Sequence, residues 1–247
     1  MRGFVDLHSH WVAGVDDGVK SADDGRALLI ALRRAGFDHV VATPHMRPGM
    51  FENDAGGLVA AYQRTRAAIG ASEKEPVGEL PRVSLASEHY FDDVVFGRIV
   101  SGDALPYPGA HCVLVELPTT AFPARLQHRL ADLVRHGKRP VIAHPERYEP
   151  VWKDVQVLEP LLDVGALLLL DIASLAGKYG RSPRKAAEKL VDEGFYYAAC
   201  SDAHRAADVD EVVAGLKALT KRAGEEETRF LLTEGPNGIL SGSIQQG

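Results

Sequence analysis

The chain has 247 residues, 45% hydrophobic and 25% charged, with 24 Gly and 14 Pro, which excludes disorder as the main state and supports a core burying roughly three quarters of the unfolded surface. Lys plus Arg number 28 against 34 Asp plus Glu, a formal charge of −6 that argues against a nucleic-acid partner while leaving room for a local basic pocket. The longest apolar run, 164–170, is too short to cross a bilayer, and Asp6, His8 and His10 interrupt the N-terminus before a signal peptide can form, so a cytoplasmic chain is expected.

Short apolar, β-branched runs predict strands over 4–7, 39–43, 82–86, 112–117, 140–143, 167–172 and 196–200. Between and after them, helical spacing predicts helices over 21–35, 58–71, 123–136, 154–164, 183–193 and 208–223. Ser21 with Asp24 has the form of a capping box, and Gly36, Gly137, Gly165 and Gly194 each stand just past a helix, where a left-handed residue is wanted. Residues 72–81 and 100–110 read as loops, and the tail over 241–247 has little to pack and is expected to be mobile. Cys112 and Cys200 lie in apolar, strand-like settings and read as two buried thiols. No linker or repeat interrupts the pattern, so residues 1–247 read as one domain. Strands alternating with helices imply a parallel sheet, open or closed into a barrel.

The chemistry gathers at strand ends. The first strand runs into Asp6-Leu7-His8-Ser9-His10, whose period-two spacing puts two imidazoles on one side, and Asp16, Asp17 and Gly18 follow in a turn. A His-x-His pair alone is as often a pair of satisfied or solvent-facing histidines. The later strands, however, end near His45, Glu88, Glu116, His144 and the Asp202/His204 pair, so six of the seven deliver a metal-competent residue at the carboxyl end. Core packing predicts no such clustering, because these residue types would scatter over exposed loops and helix faces. In a barrel all the strand carboxyl ends meet at one mouth, so the ligand census favours a barrel over an open sheet.

His39, His89, His111, His128 and His136 are set aside, because they precede strands, follow a ligand position or ride on a helix. The remaining set of His8, His10, Asp17, His45, Glu88, Glu116, His144, Asp202 and His204 is too large for one cation and implies two or three. Mixed imidazole and carboxylate ligation suits Mn, Fe or Zn better than Mg or Ca, and the absence of thiolate argues against a closed structural zinc site. Metal-assisted phosphoester hydrolysis is the matching reaction class, with activated hydroxide attacking phosphorus in line. The cysteine-dependent phosphatase loop is excluded, since it needs Arg at the sixth position after Cys and those positions hold Pro118 and Ala206.

Five strings resemble the PHP (polymerase and histidinol phosphatase) superfamily, and more closely its bacterial protein tyrosine phosphatases of the CpsB, CapC and YwqE type. They are Val-Asp-Leu-His-Ser-His with Val-Asp-Asp-Gly, Ala-Thr-Pro-His-Met-Arg-Pro-Gly-Met-Phe, Pro-Val-Ile-Ala-His-Pro-Glu-Arg-Tyr, Ser-Leu-Ala-Gly-Lys-Tyr-Gly, and Cys-Ser-Asp-Ala-His, in the family's order from Phe4 to His204. The resemblance implies a distorted TIM-like (β/α)7 barrel of the PHP type, usually with three metals, often manganese. It implies that His8, His10, Glu88 and Asp202 hold one metal, Asp17, His45 and His204 a second, and Glu116 and His144 a third with Glu88 bridging. Asp17 rather than Asp16 matches the family ligand. Arg147 would bind substrate phosphate through its planar fork.

The substrate class so implied is a phosphotyrosine-bearing protein, such as the tail of a membrane tyrosine kinase that controls capsule or exopolysaccharide export. Peripheral contact with that kinase and a homo-oligomeric state are both allowed. The sequence departs from the family in two places. Arg205 directly follows His204 where the family has Asn, and reads either as a second phosphate contact or as a solvated loop arginine. Asp171 stands where the family prefers Asn. The alternatives are a small-molecule PHP phosphoesterase such as a histidinol phosphatase, and an inactive metal-binding regulatory partner. A TatD-like nuclease or amidohydrolase also starts with His-x-His, but the closing Asp-x-His pair and the early Asp-Asp-Gly speak against it.

Overall fold

Alternation along the strands sorts their side chains into two sets, and the fold follows from burying both. In β6 (Cys112–Glu116), Cys112 and Leu114 join an inner cluster with Val5, Leu7, Val41, Val141, Leu169, Ala198 and Cys200, while Val113 and Val115 face the surrounding helices. The computed structural model describes residues 2–244. Its strands are β1 (Phe4–Asp6), β2 (Phe37–Ala42), β3 (His45–Met46), β4 (Arg82–Leu85), β5 (Glu88–Tyr90), β6, β7 (Arg139–Ala143), β8 (Leu167–Asp171) and β9 (Ala198–Cys200). All strand pairings are parallel, in a sheet β1-β2-β4 and a sheet β3-β5-β6-β7-β8-β9.

The two sheets are one barrel wall. β3 continues β2 after a break at Thr43 and Pro44, and β5 continues β4 after a break at Ala86 and Ser87, so nine short strands occupy seven positions. Thr43 N–H donates to Ser9 O, Asp202 N–H to His8 O and His10 N–H to Ala203 O, and a parallel bridge between Ser9 and Ala203 joins the last strand position to the first. The seven-position barrel expected from the sequence is the architecture observed.

The helices are α1 (Ala22–Ala35), α2 (Ala55–Ile69), α3 (Asp93–Ser101), α4 (Leu126–Arg135), α5 (Glu149–Lys153), α6 (Glu159–Asp163), α7 (Ile172–Ala176), α8 (Arg181–Asp192), α9 (Val209–Arg229) and α10 (Gly235–Ser241). The capping box forms as read: Ser21 accepts from Asp24 N–H and the Asp24 carboxylate accepts from Ser21 N–H. Leu28, Leu29 and Leu32 of α1 are fully buried, each worth about 1.5–3 kcal/mol relative to exposure. Gly215 of α9 is needed for a close crossing, since a Cβ there would lie 2.1 Å from Ile172 O of α7.

Several elements differ from the sequence reading. The helix expected over 154–164 is a 3-10 turn, Val155–Leu158, followed by the short α6, because Pro160 has no N–H to continue the ladder. Helix α3 reaches into the loop expected from residue 100. The tail expectation divides: residues 245–247 lie outside the described residues, whereas Ser241 ends α10 and Ile244 packs against the inner cluster. Both cysteines are free and buried, as expected.

Candidate metal centre and active site

The nine proposed ligands converge at one mouth of the barrel. Glu88, at the start of β5, is the hub: its Oε2 lies 3.2 Å from His8 Nε2, 3.7 Å from His10 Nε2 and 2.9 Å from His45 Nδ1, and its Oε1 lies 3.1 Å from His144 Nε2. Asp202 Oδ1 faces His8 Nε2 at 3.3 Å and His10 Nε2 at 3.4 Å. Asp17 Oδ1 faces His45 Nε2 at 3.4 Å and His204 Nε2 at 3.5 Å. Glu116 closes the group with Oε2 at 4.0 Å from His45 Nδ1.

Four overlapping sets, each with its ligand atoms within 4.8 Å of one another, use all nine residues: His10, Asp17, His45 and His204; His8, His144 and Asp202; His8, His10 and Glu88; and His45, Glu88 and Glu116. These sets cut across the three-way partition that the resemblance implies. His10 joins the Asp17 set, and His144 groups with His8 and Asp202 instead of Glu116.

The donor chemistry fits cations. His8 Nε2 and His10 Nε2 stand 3.1 Å apart, facing nitrogens that a shared cation would satisfy together. Buried Glu116 Oε2, which faces His45 across the cluster, has no hydrogen-bond partner among the described residues. The backbone is strained at two of the sites: His144 has φ 35° and Asp202 φ 44°, left-handed conformations that non-glycine residues hold only when their surroundings dictate it. Burial opposes charge on His10 and His45, yet Asp16 lifts the first to about 9 and Glu88 the second to about 11. Burial and the neighbouring Glu88 charge push the Glu116 carboxyl up to about 7. The pocket therefore attracts positive charge, and metal binding there displaces protons.

Adjacent acids take different tasks. Asp16 is buried and bonds His10 Nδ1 through Oδ2 at 2.8 Å; the same oxygen accepts from His45 N–H at 3.2 Å, and Oδ1 accepts from Gly18 N–H at 3.0 Å. It fixes the His10 tautomer that leaves Nε2 free toward the cluster. Asp17 is exposed and turned to the metal set, held well below the carboxylate range by hydrogen bonds from His204 and His45. Gly18 permits this turn, because a Cβ there would lie 2.2 Å from His10 O.

Arg147 lies at the wall of a cleft of about 570 Å³ that opens beside Asp17, Asp202 and His204. Its Nη1 is 2.5 Å from Asp202 Oδ2 and 3.8 Å from Asp171 Oδ2, and its guanidinium carbon sits 4.5 Å from the centre of the Tyr179 ring. Arg205 lines the same cleft but is exposed, its Nε 3.2 Å from Asp208 Oδ1. On the other flank, Phe51 stacks on His45 at 5.1 Å, and the Arg47 guanidinium lies 4.0 Å over the Tyr90 ring.

Sequence reasoning passed over the supports. Glu146 is fully buried, accepting from Asp171 N–H and Ser174 Oγ at Oε1 and from Tyr196 OH at Oε2; burial and Asp171 push it up to about 8. Asp6 accepts from Ser201 N–H and Oγ, tying the first strand position to the last. The doubled acid at Asp16 and Asp17 and the Glu of His-Pro-Glu-Arg were the available signals. The thiols offer no nucleophile, since burial raises Cys112 to about 11 and Cys200 well above its ordinary value.

A family model described as capsular polysaccharide synthesis, CpsB/CapC, matches residues 4–241. The chain belongs to the CpsB/CapC family. It is 28% identical over 239 residues to the tyrosine-protein phosphatase YwqE of Bacillus subtilis, covering 96% of this chain and 91% of the relative. It is 23% identical over 242 residues to the tyrosine-protein phosphatase CpsB of Streptococcus pneumoniae, covering 96% and 98%. A crystal structure from work on these two proteins, described as unique metal-dependent tyrosine phosphatases, superposes with a TM-score of 0.84 at 26% identity over 96% of this chain and 94% of that one. The phosphotriesterase homology protein of Escherichia coli, at 12% identity and a TM-score of 0.62 over 96% and 98%, shares the fold.

Proposed function

We propose that this chain is a metal-dependent phosphatase that hydrolyses phosphotyrosine in a protein substrate. The observation that carries the reading is the meeting of nine His, Asp and Glu side chains with Arg147 at one barrel mouth, in a chain whose family relatives are named tyrosine phosphatases. Two or three ions of Mn, Fe or Zn suit the mixed imidazole and carboxylate set, and the family resemblance favours manganese among them. When bound, divalent cations supply a nucleophile competent at neutral pH and positive charge for the phosphoryl oxygens.

The chain's own residues do the rest. Asp16 and the backbone around Gly18 hold His10 and Asp17 in register. Asp202 turns one carboxylate oxygen to the cluster and the other to Arg147, so the guanidinium fork would stand beside a phosphoryl group bound at the cluster, where its charge counts most. Arg205, tethered to Asp208 on the rim, is a second contact for a phosphate that reaches the cleft. Phenolate leaves readily, so no general acid is assigned. The proposed partner is the phosphorylated tail of a bacterial tyrosine kinase of capsule or exopolysaccharide synthesis, met at the cytoplasmic face of a membrane; no helix among the described residues is long and apolar enough to cross one. His45→Ala and His144→Ala each abolish turnover of a phosphotyrosyl peptide while leaving the circular dichroism of the barrel intact. Near-normal activity in either variant removes that residue from the site.

A further inference from the structure

The chain is acidic overall, at −6, but the cleft beside the metal cluster is not. Its walls carry Lys20, Lys178 and Arg205 in addition to Arg147. Once the acids of the cluster are committed to cations, Asp24 and Asp208 are the remaining carboxylates on those walls. Asp24 bonds only neutral groups, Ser21 N–H and Oγ at the α1 cap, and keeps its charge, so the three cations Lys20, Lys178 and Arg205 face two carboxylates. Asp208 is shared, with Oδ1 3.2 Å from Arg205 Nε and Oδ2 3.8 Å from Lys178 Nζ, so one negative charge faces two positive ones. Lys20 Nζ donates to Asp16 O at 2.8 Å, a neutral partner that fixes the ammonium without cancelling its charge. Local positive charge is left over, in a cleft whose volume of about 570 Å³ exceeds the needs of a single phosphoryl group.

We propose that this cleft is a second anion subsite, in which Lys20, Lys178 and Arg205 receive a carboxylate or second phosphate carried on the substrate near the phosphotyrosine. The inference rests on the phosphatase reading and names the substrates that reading prefers. Arg147, Asp202 and His204 share the lining of this cleft with Lys20, Lys178 and Arg205, so a peptide whose phosphoryl group reaches the cluster brings its neighbouring residues among those cations. The Tyr179 ring, 4.5 Å from the Arg147 guanidinium carbon and 5.4 Å from Lys178 Nζ, forms the wall between the two anion positions.

The test uses the manganese-loaded protein and three peptides: phosphotyrosine flanked by Glu, the same peptide flanked by Gln, and one with a second phosphotyrosine in place of a flanking Glu. The Glu-flanked or doubly phosphorylated peptide is expected to exceed the Gln peptide by about five-fold or more in kcat/KM, mainly through KM, with the gain shrinking as salt is added. Lys178→Met is expected to bring the ratio close to one, read within that variant. A gain confined to the doubly phosphorylated peptide assigns the subsite to phosphate; a gain shared by Glu assigns it to anionic side chains in general. Equal kcat/KM for all three peptides overturns the proposal and leaves the phosphatase reading standing, and a preference that survives in Lys178→Met also overturns it. Hydrolysis of none of them sinks the phosphatase reading, and this inference with it. The peptide ratio and its salt dependence need no variant, so a Lys178→Met chain that fails to fold leaves the test intact.

Discussion

The Asp16→Asn substitution separates the two neighbouring acids. The side chain keeps its shape, but one of its two oxygens becomes an NH2 group. At Oδ1 the NH2 would face Gly18 N–H, 3.0 Å away, and at Oδ2 it would face both His45 N–H and His10 Nδ1. Two donors then meet at a buried position, and in the second orientation His10 must accept at Nδ1. Its proton moves to Nε2, the nitrogen that faces His8, Glu88 and Asp202, and a protonated nitrogen cannot bind a metal. Loss of such an orienting carboxylate costs about 10–100-fold in metal affinity, or about 1.4–2.8 kcal/mol. Calorimetric titration of the metal-depleted variant with manganese measures the loss, and turnover recovers in part at high manganese. Affinity equal to that of the unsubstituted protein would refute the assignment of Asp16 as the residue that sets the His10 tautomer.

Three further outcomes are expected. Arg147→Lys keeps a positive charge but loses the fork that spans Asp202 and a phosphoryl oxygen, and should lower kcat/KM by about 10–100-fold in steady-state assays; an unchanged value would place Arg147 outside the reaction. Gly215→Ala puts a Cβ 2.1 Å from Ile172 O, and should cost about 1–3 kcal/mol in a denaturant melt; unchanged stability would mean that the α7–α9 crossing relaxes freely. His39 is buried, and its Nδ1 lies 2.8 Å from Arg82 Nη2; burial and that charge hold it down to about 3. The unfolded chain takes up this proton near 6.5, so the fold loses stability as pH falls from 6.5 toward 3, by about 1.4 kcal/mol at pH 5.5. His39→Gln should flatten that part of the pH–stability curve, and an identical curve would refute the linkage.

The amino-acid sequence made the ligand set legible because each ligand stands at the end of a short apolar run, and a barrel carries all such ends to one rim. His45 and Glu88 were readable for that reason, even though each opens its own short strand after a break in the barrel wall. The pairing of ligands was less accessible. Glu88 reaches His8, His10, His45 and His144 only because the barrel curvature brings four strand positions within one side-chain length. Supports such as Asp16, Glu146 and Asp6 were harder still, since their partners are mostly backbone N–H groups, imidazole nitrogens and hydroxyls that no spacing rule marks. Lys20 and Lys178 are far apart in the chain, and only the fold, through the turn before α1 and the turn after α7, places them on one cleft. The packing of 241–244 was missed for a related reason: Ile244 is a single apolar residue in a polar tail, and its burial depends on a groove made by distant residues.

The most direct test is phosphate release from a phosphotyrosyl peptide by the purified protein with manganese, beside a chelated sample and a phosphoseryl peptide. Release from the tyrosine peptide alone, lost on chelation and restored by manganese, is the predicted result. No release from a sample shown to contain bound metal, or release that survives chelation, would contradict the account.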